Sequence, residues 1–354
     1  MAKPKLEVGM YREAAKHDMT LSDWLEWKAT TNAGRGENWD WYNPELKDLD
    51  AFEQLLMHYG IRVRGEKAST ADAFFYDPNA RVLFPEFLAR EFRFAEQEGT
   101  NELRIQDIIA SRVGVNTGAY RSEYLEEGQD AALQETGEGA HFPTIVLKYK
   151  EHPISLTKYG AVLKMTYEAV RRSRLDHLAT FVRKIALDTR RAKVRRAVEV
   201  LINGDGNSNP APDVSTGHAA PFTFEDIVDL ELDFTEGFEP QVLVADKGTV
   251  MRQILKMDIF TAADATARGA NFRDTGQWPM PLGKELRYVE KVDALTNKLL
   301  GVDRRYALEE VYEEGAELVE TERLITTQFE SIVFSEVVGY AKLFTGAART
   351  RTLS

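Results

Sequence analysis

The hydrophobic and polar positions of the chain follow a helical period over one long stretch. Between Thr166 and Asn203, apolar residues recur mostly three or four positions apart, with neither Gly nor Pro to interrupt them. Thr166 is a suitable N-cap and Gly204 a suitable left-handed stop. The spacing therefore predicts one uninterrupted helix over 166–203, about 55 Å long at 1.5 Å per residue.

A two-residue period precedes this helix. The alternating runs 142–150 and 154–165 predict two strands that pair as a long hairpin. A two-stranded hairpin is marginally stable alone in water. We therefore expect it to lie on another surface, either this chain's core or a neighbouring subunit.

The residues after the long helix alternate between loop and ordered patterns. Residues 203–221 are rich in Gly, Pro, Asn and Ser and predict a linker. The alternating Asn and Asp residues from Asn203 do not form a calcium loop, because Ser208 and Val214 occupy the positions where an EF-hand needs Gly and Glu. Residues 222–300 predict an α/β region with helices over 222–234 and 247–256 and a buried strand over 241–245. A long loop follows over 261–283, and the tail 303–354 is richer in strand than in helix.

The N-terminal residues 1–65 predict an arm rather than a domain. Four of the five tryptophans lie here, and so many indoles on a short segment need a surface to pack against. That surface is either the chain's own body or another subunit. The four tryptophans are Trp24, Trp27, Trp39 and Trp41.

Charge distinguishes the long helix from the rest of the chain. The whole chain has a net charge of −12, whereas 166–203 carries ten Lys and Arg against four Asp and Glu, a net of +6. Such a face either forms ordinary salt bridges in solvent or meets a polyanion or an acidic segment of a neighbour. The spacing does not separate these alternatives. An acidic chain is not typical of a dedicated nucleic-acid reader, so we expect any DNA contact to be local and independent of base sequence.

The usual signatures of catalysis and metal binding are missing from the sequence. It contains no cysteine, and its six histidines are scattered without zinc-ligand spacing. The nucleophile elbow, the phosphate-binding loop and the dinucleotide-binding motif are also missing. We therefore expect neither an enzyme nor a metal or cofactor site. No run has the length of a membrane span, and the first residues lack the apolar core of a signal peptide.

Four short segments, in this order, carry a resemblance to a known family. They are LFPEFLAREF (83–92), LKMTYEAV (163–170), LINGDG (201–206) and LGVDRRYAL (300–308). Together with the hairpin, the long helix and the strand-rich tail, their order resembles that of the major capsid proteins of tailed bacteriophages, which have the Hong Kong 97-type fold. The resemblance extends from about Arg81 to the C-terminus.

The resemblance implies an α+β fold with an N-terminal arm, an extended E-loop, a peripheral domain with a spine helix, and an axial α/β domain. The expected boundaries are 1–65 for the arm, 66–133 for the rest of the arm and the start of the peripheral domain, 134–165 for the E-loop hairpin, 166–205 for the spine helix, 221–300 for the axial domain with 261–283 as its axial loop, 303–335 for peripheral strands, and 336–354 for a C-terminal segment that returns to the axial domain.

The resemblance also implies a function. The chain would be a major capsid protein that assembles with itself into pentamers and hexamers of an icosahedral shell around double-stranded DNA. Its further partners would be a scaffold protein, a portal and a decoration protein. It would be located in the virion and assembled in the host cytoplasm. Two alternatives stay open: an encapsulin-type compartment shell, and a DNA-associated α/β protein that uses the basic helix face.

Particular residues take roles from the same resemblance. The spine helix of the family faces the shell interior, so its basic residues either touch packaged DNA or pair with the acidic runs 123–138 and 309–322 across subunits. These basic residues are Arg171, Arg172, Arg174, Arg190, Arg191, Lys193, Arg195 and Arg196. Some members cross-link lysine to asparagine, but lysines on an exposed strand usually only protect its edge. The hairpin lysines are Lys148, Lys150, Lys158 and Lys164.

Overall fold

The described residues of the chain form two compact units. The computed structural model describes residues 6–7, 9–17, 19–31, 41–46, 48–96, 101–116, 118–125, 147–219, 221–235, 237–257, 278, 280–315, 318–324 and 328–353. Unit one is drawn from Met1–Glu98, Gly160–Asp188 and Leu318–Ser335, and unit two from Gly99–Tyr159, Thr189–Glu317 and Glu336–Ser354.

Six of the nine α-helices in the described residues begin after a capping side chain. The α-helices are α1 Gly9–Ala15, α2 Leu21–Thr30, α3 Ala51–His58, α4 Pro78–Arg81, α5 Phe84–Glu96, α6 Tyr167–Arg172, α7 Leu175–Asn203, α8 Phe224–Asp233 and α9 Lys247–Arg252. Short 3-10 helices lie at Ala71–Phe74, Ile105–Asp107, Ile254–Lys256, Pro281–Gly283, Asp293–Leu295 and Thr345–Ala347. Side chains that accept a hydrogen bond from the first turn belong to Thr20, Asp50, Asp77, Thr166, Thr223 and Asp246.

Most strands lie in the second half of the chain, as the alternating tail predicts. They are β1 Ile109–Val115, β2 Ala119–Tyr120, β3 Glu123–Leu125, β4 Leu147–Tyr149, β5 Ile154–Ser155, β6 Thr157–Thr166, β7 Asp213–Ser215, β8 Val242–Asp246, β9 Glu285–Val289, β10 Lys298–Val302, β11 Leu308–Glu313, β12 Leu318–Leu324, β13 Phe329–Lys342 and β14 Ala348–Thr352.

Unit one has an aromatic-rich core formed mainly by helices. Phe52 of α3, Phe74 and Phe84 are fully buried, and they pack with Leu175 and Val182 from the start of α7. β12 pairs antiparallel with the first part of β13, and β6 also pairs with β13. The N-terminal helices therefore bury apolar side chains in the core of unit one.

The predicted single helix over 166–203 is divided, so that prediction is wrong at one place. Thr166 caps α6 and Gly204 (φ 90°) follows α7, as expected, but Ser173 is extended (φ −74°, ψ 125°). The Ser173 carbonyl accepts a hydrogen bond from Ala71 N at 2.9 Å, and Leu175 N donates to Ser69 O at 2.9 Å. This pairing with residues distant in sequence opens the helix, and the local period of apolar residues does not reveal it.

Unit two contains one five-stranded sheet and some of the strands of a second. One has the strand order β7-β14-β10-β8-β9, in which β8 and β9 are parallel and β10 is antiparallel to both β8 and β14. In the other, β1 is parallel to β11, and β11 is antiparallel to the end of β13. The later part of α7 packs on a core that includes strands of both sheets, through Val194, Val198 and Leu201. α8 and α9 bury their apolar faces in a second core against β8.

The predicted hairpin has different partners from those expected. β4 pairs antiparallel with β3, and β5 pairs with β2, whereas β6 pairs with β13. The prediction that 142–150 pairs with 154–165 is therefore wrong for the described part of the chain, since the two-residue period marks strands without identifying their partners. The arms of the hairpin are β2–β3 and β4–β5, and 126–146, which includes much of the predicted E-loop, lies outside the described residues.

Other sequence predictions are confirmed with small changes. The helix and strand expected within 222–245 are α8 and β8, and the helix over 247–256 is α9 followed by a 3-10 turn. The stretch 203–221 is more than a linker, because β7 within it pairs parallel with β14. The predicted axial loop 261–283 lies outside the described residues except at Trp278 and 280–283.

Candidate assembly and nucleic-acid surfaces

Two arginines of α7 converge on one carboxylate in unit two. Arg190 Nη2 lies 2.8 Å from Glu102 Oε2, and Arg191 Nε lies 2.6 Å from Glu102 Oε1. The Arg190 side chain is 6% exposed and that of Glu102 is 11% exposed. A buried carboxylate flanked by two guanidinium groups is compensated within the fold, so little of Arg190 is left for a phosphate.

Three more of the predicted basic residues have acidic partners within the same chain. Lys193 Nζ lies 3.1 Å from Glu336 Oε2, and Arg196 lies 3.5 Å from Glu199 on the helix surface. At the helix break, Arg174 Nη2 lies 2.8 Å from Asp176 Oδ2 and also donates to the Gly65 carbonyl at 3.0 Å. The Arg196 pair is exposed and of the kind that contributes little to stability.

The remaining three basic residues have no acidic partner among the described residues. Arg171 and Arg172 are exposed in the last turn of α6, and Arg195 is half-buried on α7. Within the stretches that the structure describes, none of the three forms a hydrogen bond or ion pair. Of the eight candidates, these three keep the most charge available for a phosphate.

The acids that pair with these basic residues within the chain lie outside the two acidic runs that we expect to pair across subunits. The partners are Glu102, Asp176, Glu199 and Glu336 of the same chain, none of them in 123–138 or 309–322. The described parts of those runs have other contacts. Glu309 accepts hydrogen bonds from Ser111 and Tyr120, and Glu310 pairs with Arg112 at 3.0 Å.

The four predicted hairpin lysines are in two different environments. Lys148 on β4 and Lys158 and Lys164 on β6 are exposed. Lys150 is buried, and its Nζ lies 2.9 Å from Asp205 Oδ2 and also donates to the Lys342 carbonyl. The expectation that the hairpin lysines are exposed edge residues is therefore wrong for Lys150, because a buried carboxylate lies within its reach.

Each arm of the hairpin is anchored at its root, where it leaves the rest of the chain. On the outgoing arm, β2–β3, Tyr120 Oη donates to Glu309 Oε2 of β11 at 2.8 Å. On the return arm, β4–β5 with the residues between them, Lys150 binds Asp205. Burial and the hydrogen bond to Glu309 raise the pKa of Tyr120. Beyond the root, β3 and β4 form a separate two-stranded sheet, on which Leu147 is 58% and Tyr149 67% exposed.

The tryptophan-rich segment packs partly on unit one itself. Trp24 is 3% exposed in the core, and Lys28 Nζ lies 4.5 Å from its ring centroid. Trp41 packs against the same core and is partly buried, whereas Trp27 is 39% exposed. Trp39 lies outside the described residues. Trp27 therefore has the most indole surface available among the three described residues.

The described residues contain neither a metal site nor a membrane-spanning helix. Across the residues described, no cluster of His, Cys, Asp and Glu has the arrangement of a metal site. In the same part of the chain, no helix is both long enough and apolar enough to cross a membrane.

Comparison with known proteins decides the family. The sequence profile of a family described as phage capsid protein matches residues 149–347, more than half of the chain. The chain belongs to the phage capsid protein family. The matched range runs from the end of β4 to the 3-10 turn before β14, and it includes α7 and strands of both larger sheets. No curated protein sequence matches the chain.

Two solved structures show the fold of this capsid protein. A chain of the structure described as Microbacterium phage Oxtober96 is 14% identical, with a TM-score of 0.51, and the match covers 73% of this chain and 93% of that one. The capsid of a native GTA particle is 16% identical, with a TM-score of 0.50 and the same coverage of 73% and 93%. The α+β fold of the Hong Kong 97 type, expected from the sequence, is confirmed. The protein is a structural component of a capsid shell and therefore of the virion.

The capsid protein also contains a buried charge cluster that sequence reasoning did not select. The Asp205 side chain is fully buried and accepts hydrogen bonds from Lys150 Nζ at 2.9 Å, from Asn207 Nδ2 at 3.0 Å and from the backbone N of Lys342 at 3.0 Å. Burial raises the pKa of Asp205, but hydrogen bonds from Lys150 and Asn207 outweigh it, so the pKa lies below its usual value.

Lys342, at the end of β13, completes this cluster. It is fully buried, and its Nζ donates to the Leu201 carbonyl of α7 at 3.0 Å. Burial lowers the pKa of Lys342 to about 8, an effect that Asp205 opposes and Lys150 reinforces. A lysine inside the apolar run 337–344 was the one sequence signal of this arrangement.

Proposed function

We propose that copies of this capsid protein assemble through pentamers and hexamers into an icosahedral shell that encloses double-stranded DNA. The hairpin β3–β4 carries this proposal. It is a two-stranded sheet with Leu147 and Tyr149 exposed, and such a sheet gains stability when its apolar side chains meet another surface. In a closed shell a neighbouring copy supplies that surface.

The proposal assigns the axial domain, the C-terminal segment and the arm of the expected capsid subunit to parts of the fold. We assign the axial domain to the sheet β7-β14-β10-β8-β9 with α8 and α9, which draws most of its residues from 221–300. The pairing of β14 with β10 and β7 supports a C-terminal segment that returns to this domain. We keep 1–65 as an arm whose described helices pack on unit one, with Trp27 as its contact to a neighbour.

The proposal assigns DNA contact to the basic residues that have no acidic partner among the described residues. Arg171, Arg172 and Arg195 are the candidates, through phosphate contacts that are independent of base sequence. The proposal also includes a scaffold protein, a portal and a decoration protein as partners, and assembly in the host cytoplasm, as the family resemblance implies.

Deleting the tip of the hairpin tests the shell proposal. Replacing 126–146 with a short Gly-Ser turn keeps β3 and β4, whereas a deletion of 134–165 would also remove β5 and most of β6, which pair within the body. We expect the shortened chain to keep its helix content and unfolding midpoint but to form no closed shells by electron microscopy.

A double substitution separates apolar contact from loop length. Leu147→Ser with Tyr149→Ser should also prevent closed shells, whereas Val162→Ser, which removes an apolar side chain that is 55% exposed on β6, should not. Normal shells from both the tip deletion and the double variant would show that the hairpin does not strap neighbouring subunits.

A further inference from the structure

The return arm of the hairpin is held by the loop that ends α7. In this loop, Gly204 has φ 90° and lies so close to Asn209 that an added Cβ would be 2.8 Å from Asn209 Oδ1. Asn209 Oδ1 in turn accepts a hydrogen bond from Asp205 N at 3.0 Å. The loop is therefore tightly folded and fixes the direction of the Asp205 side chain.

Three successive contacts join the return arm to this loop and to β13. Lys150 binds Asp205, and the amide of Asn207 binds both the N–H of His152 (2.9 Å) and its carbonyl (3.3 Å). The third contact is a close packing of residues 154–156 on Gly339 of β13. A Cβ atom added to Gly339 would be 3.0 Å from Ser155 O and 2.7 Å from Leu156 Cδ2. Of the three contacts, only the one at Lys150 depends on ionised side chains.

The charge balance at that contact is uneven. Asp205 carries one negative charge, and Lys150 and a protonated Lys342 carry two positive charges, all buried. Two other described neighbours of Lys342, the Leu201 carbonyl of α7 and Leu308 opposite it on β11, add no charge. With Lys342 protonated, withdrawal of Lys150 into solvent leaves a neutral Asp205–Lys342 pair. With Lys342 neutral, the same withdrawal leaves Asp205 without a lysine counter-charge, and Arg196, which lines the cavity beside it, is already paired with Glu199.

We propose that Asp205 is a latch that holds the root of the return arm, and that the charge on Lys342 decides how readily the latch opens. A cavity of about 30 Å³ adjoins Asp205, Ser155 and Gly339, which is room for the water that would replace the Lys150 ammonium group. Protonated Lys342 favours opening, and neutral Lys342 favours the closed latch. The device belongs to the single chain and does not rest on the proposed shell.

Amide hydrogen exchange of residues 151–156 in the purified, unassembled chain tests the latch. Lys150→Met removes the held side chain but leaves the Asp205–Lys342 pair neutral, so the body should stay folded while 151–156 exchange at least about tenfold faster. Lys164→Met, an exposed lysine of β6, is the matched control and should change exchange less than about twofold. Amides of 194–201 in α7 report whether the body is intact.

The role of Lys342 has its own readout. After correction for intrinsic exchange chemistry, opening of 151–156 in the unsubstituted chain should be about fivefold more frequent at pH 7 than at pH 9. In the Lys342→Met variant, the amides of residues 151–156 should exchange more slowly at pH 7, and their opening should not depend on pH between 7 and 9. Unchanged exchange in Lys150→Met would overturn the latch, and an unchanged pH dependence in Lys342→Met would overturn the role of Lys342. If Lys150→Met does not fold, the Lys342→Met comparison still decides.

Discussion

At the scale of single residues, Lys342 is a buried charge with a measurable cost. Its ammonium group donates to the Leu201 carbonyl, while the nearby Asp205 carboxylate binds the ammonium group of Lys150. Burial therefore lowers its pKa to about 8, against 10.5 for an ordinary lysine. The unfolded chain binds more protons than the folded one between these two values, so stability rises with pH over that window. Below that pH window, the buried charge of Lys342 destabilises the folded chain by its full amount.

Replacing Lys342 by methionine should stabilise the chain at neutral pH. The lowering of the Lys342 pKa from 10.5 to about 8 corresponds to about 3 kcal/mol of destabilisation, which the variant lacks. The variant also loses the hydrogen bond to Leu201, which costs about 1 kcal/mol. We expect a gain of about 2 kcal/mol at pH 7 that vanishes towards pH 10, measured by urea unfolding of the unassembled chain. Lys164→Met should give no such difference, and a Lys342→Met variant less stable at pH 7 than at pH 10 would contradict this account.

The arginines without partners should carry the electrostatics of DNA binding. Arg171→Gln, Arg172→Gln and Arg195→Gln together should reduce the slope of log affinity against log salt by about 3, because each lost phosphate contact removes about 0.9. The control changes three exposed basic residues elsewhere to Gln, namely Lys67, Arg252 and Lys291. Fluorescence anisotropy with a DNA duplex at several salt concentrations measures both. Equal slopes for the two triple variants would show that these arginines do not contact DNA.

Residue roles were predictable only where the partner is close in sequence. The caps at Thr166 and Gly204 could be read locally, because each acts on its own helix end. The partners of Lys150 and Arg190 could not, since Asp205 and Glu102 are separated from them by 55 and 88 positions. A charge pattern along one helix gives the number of basic residues and not the acids that tertiary folding brings to them.

At the scale of elements, the apolar period found the long helix but missed its division. The sequence around Ser173 has ordinary helix formers, so the break depends on backbone pairing with 69–71. The same limit explains the hairpin. Alternation located β4 and β6, but the pairing of β4 with β3 and of β6 with β13 depends on long-range register.

A glycine pair tests how closely the return arm crosses β13. An alanine at Gly339 would place Cβ 3.0 Å from the Ser155 carbonyl, a backbone atom that cannot move without displacing β5. At Gly114 on β1, the nearest atoms belong to the side chain of Glu314, which can rotate away. We expect Gly339→Ala to lower the free energy of unfolding by about 1–3 kcal/mol and Gly114→Ala by less than about 0.5. Equal effects by urea unfolding would show that 154–156 does not press on β13.

At the scale of the whole molecule, the order of segments was more informative than any single motif. The chain lacks a catalytic motif and its charged helix has two plausible uses, yet the sequence of hairpin, long helix, α/β region and strand-rich tail indicated the capsid fold. The family match over 149–347 covers those same elements. Assembly could be inferred from a hairpin without a core of its own, but the contacts between copies are not encoded in any local pattern.

Particle mass and images of the purified chain test the central claim most directly. Light scattering and negative-stain electron microscopy, without and with a scaffold protein or a crowding agent, should show closed shells or rings of five and six copies. A chain that stays a monomer or small oligomer under all of these conditions would contradict assembly into an icosahedral shell.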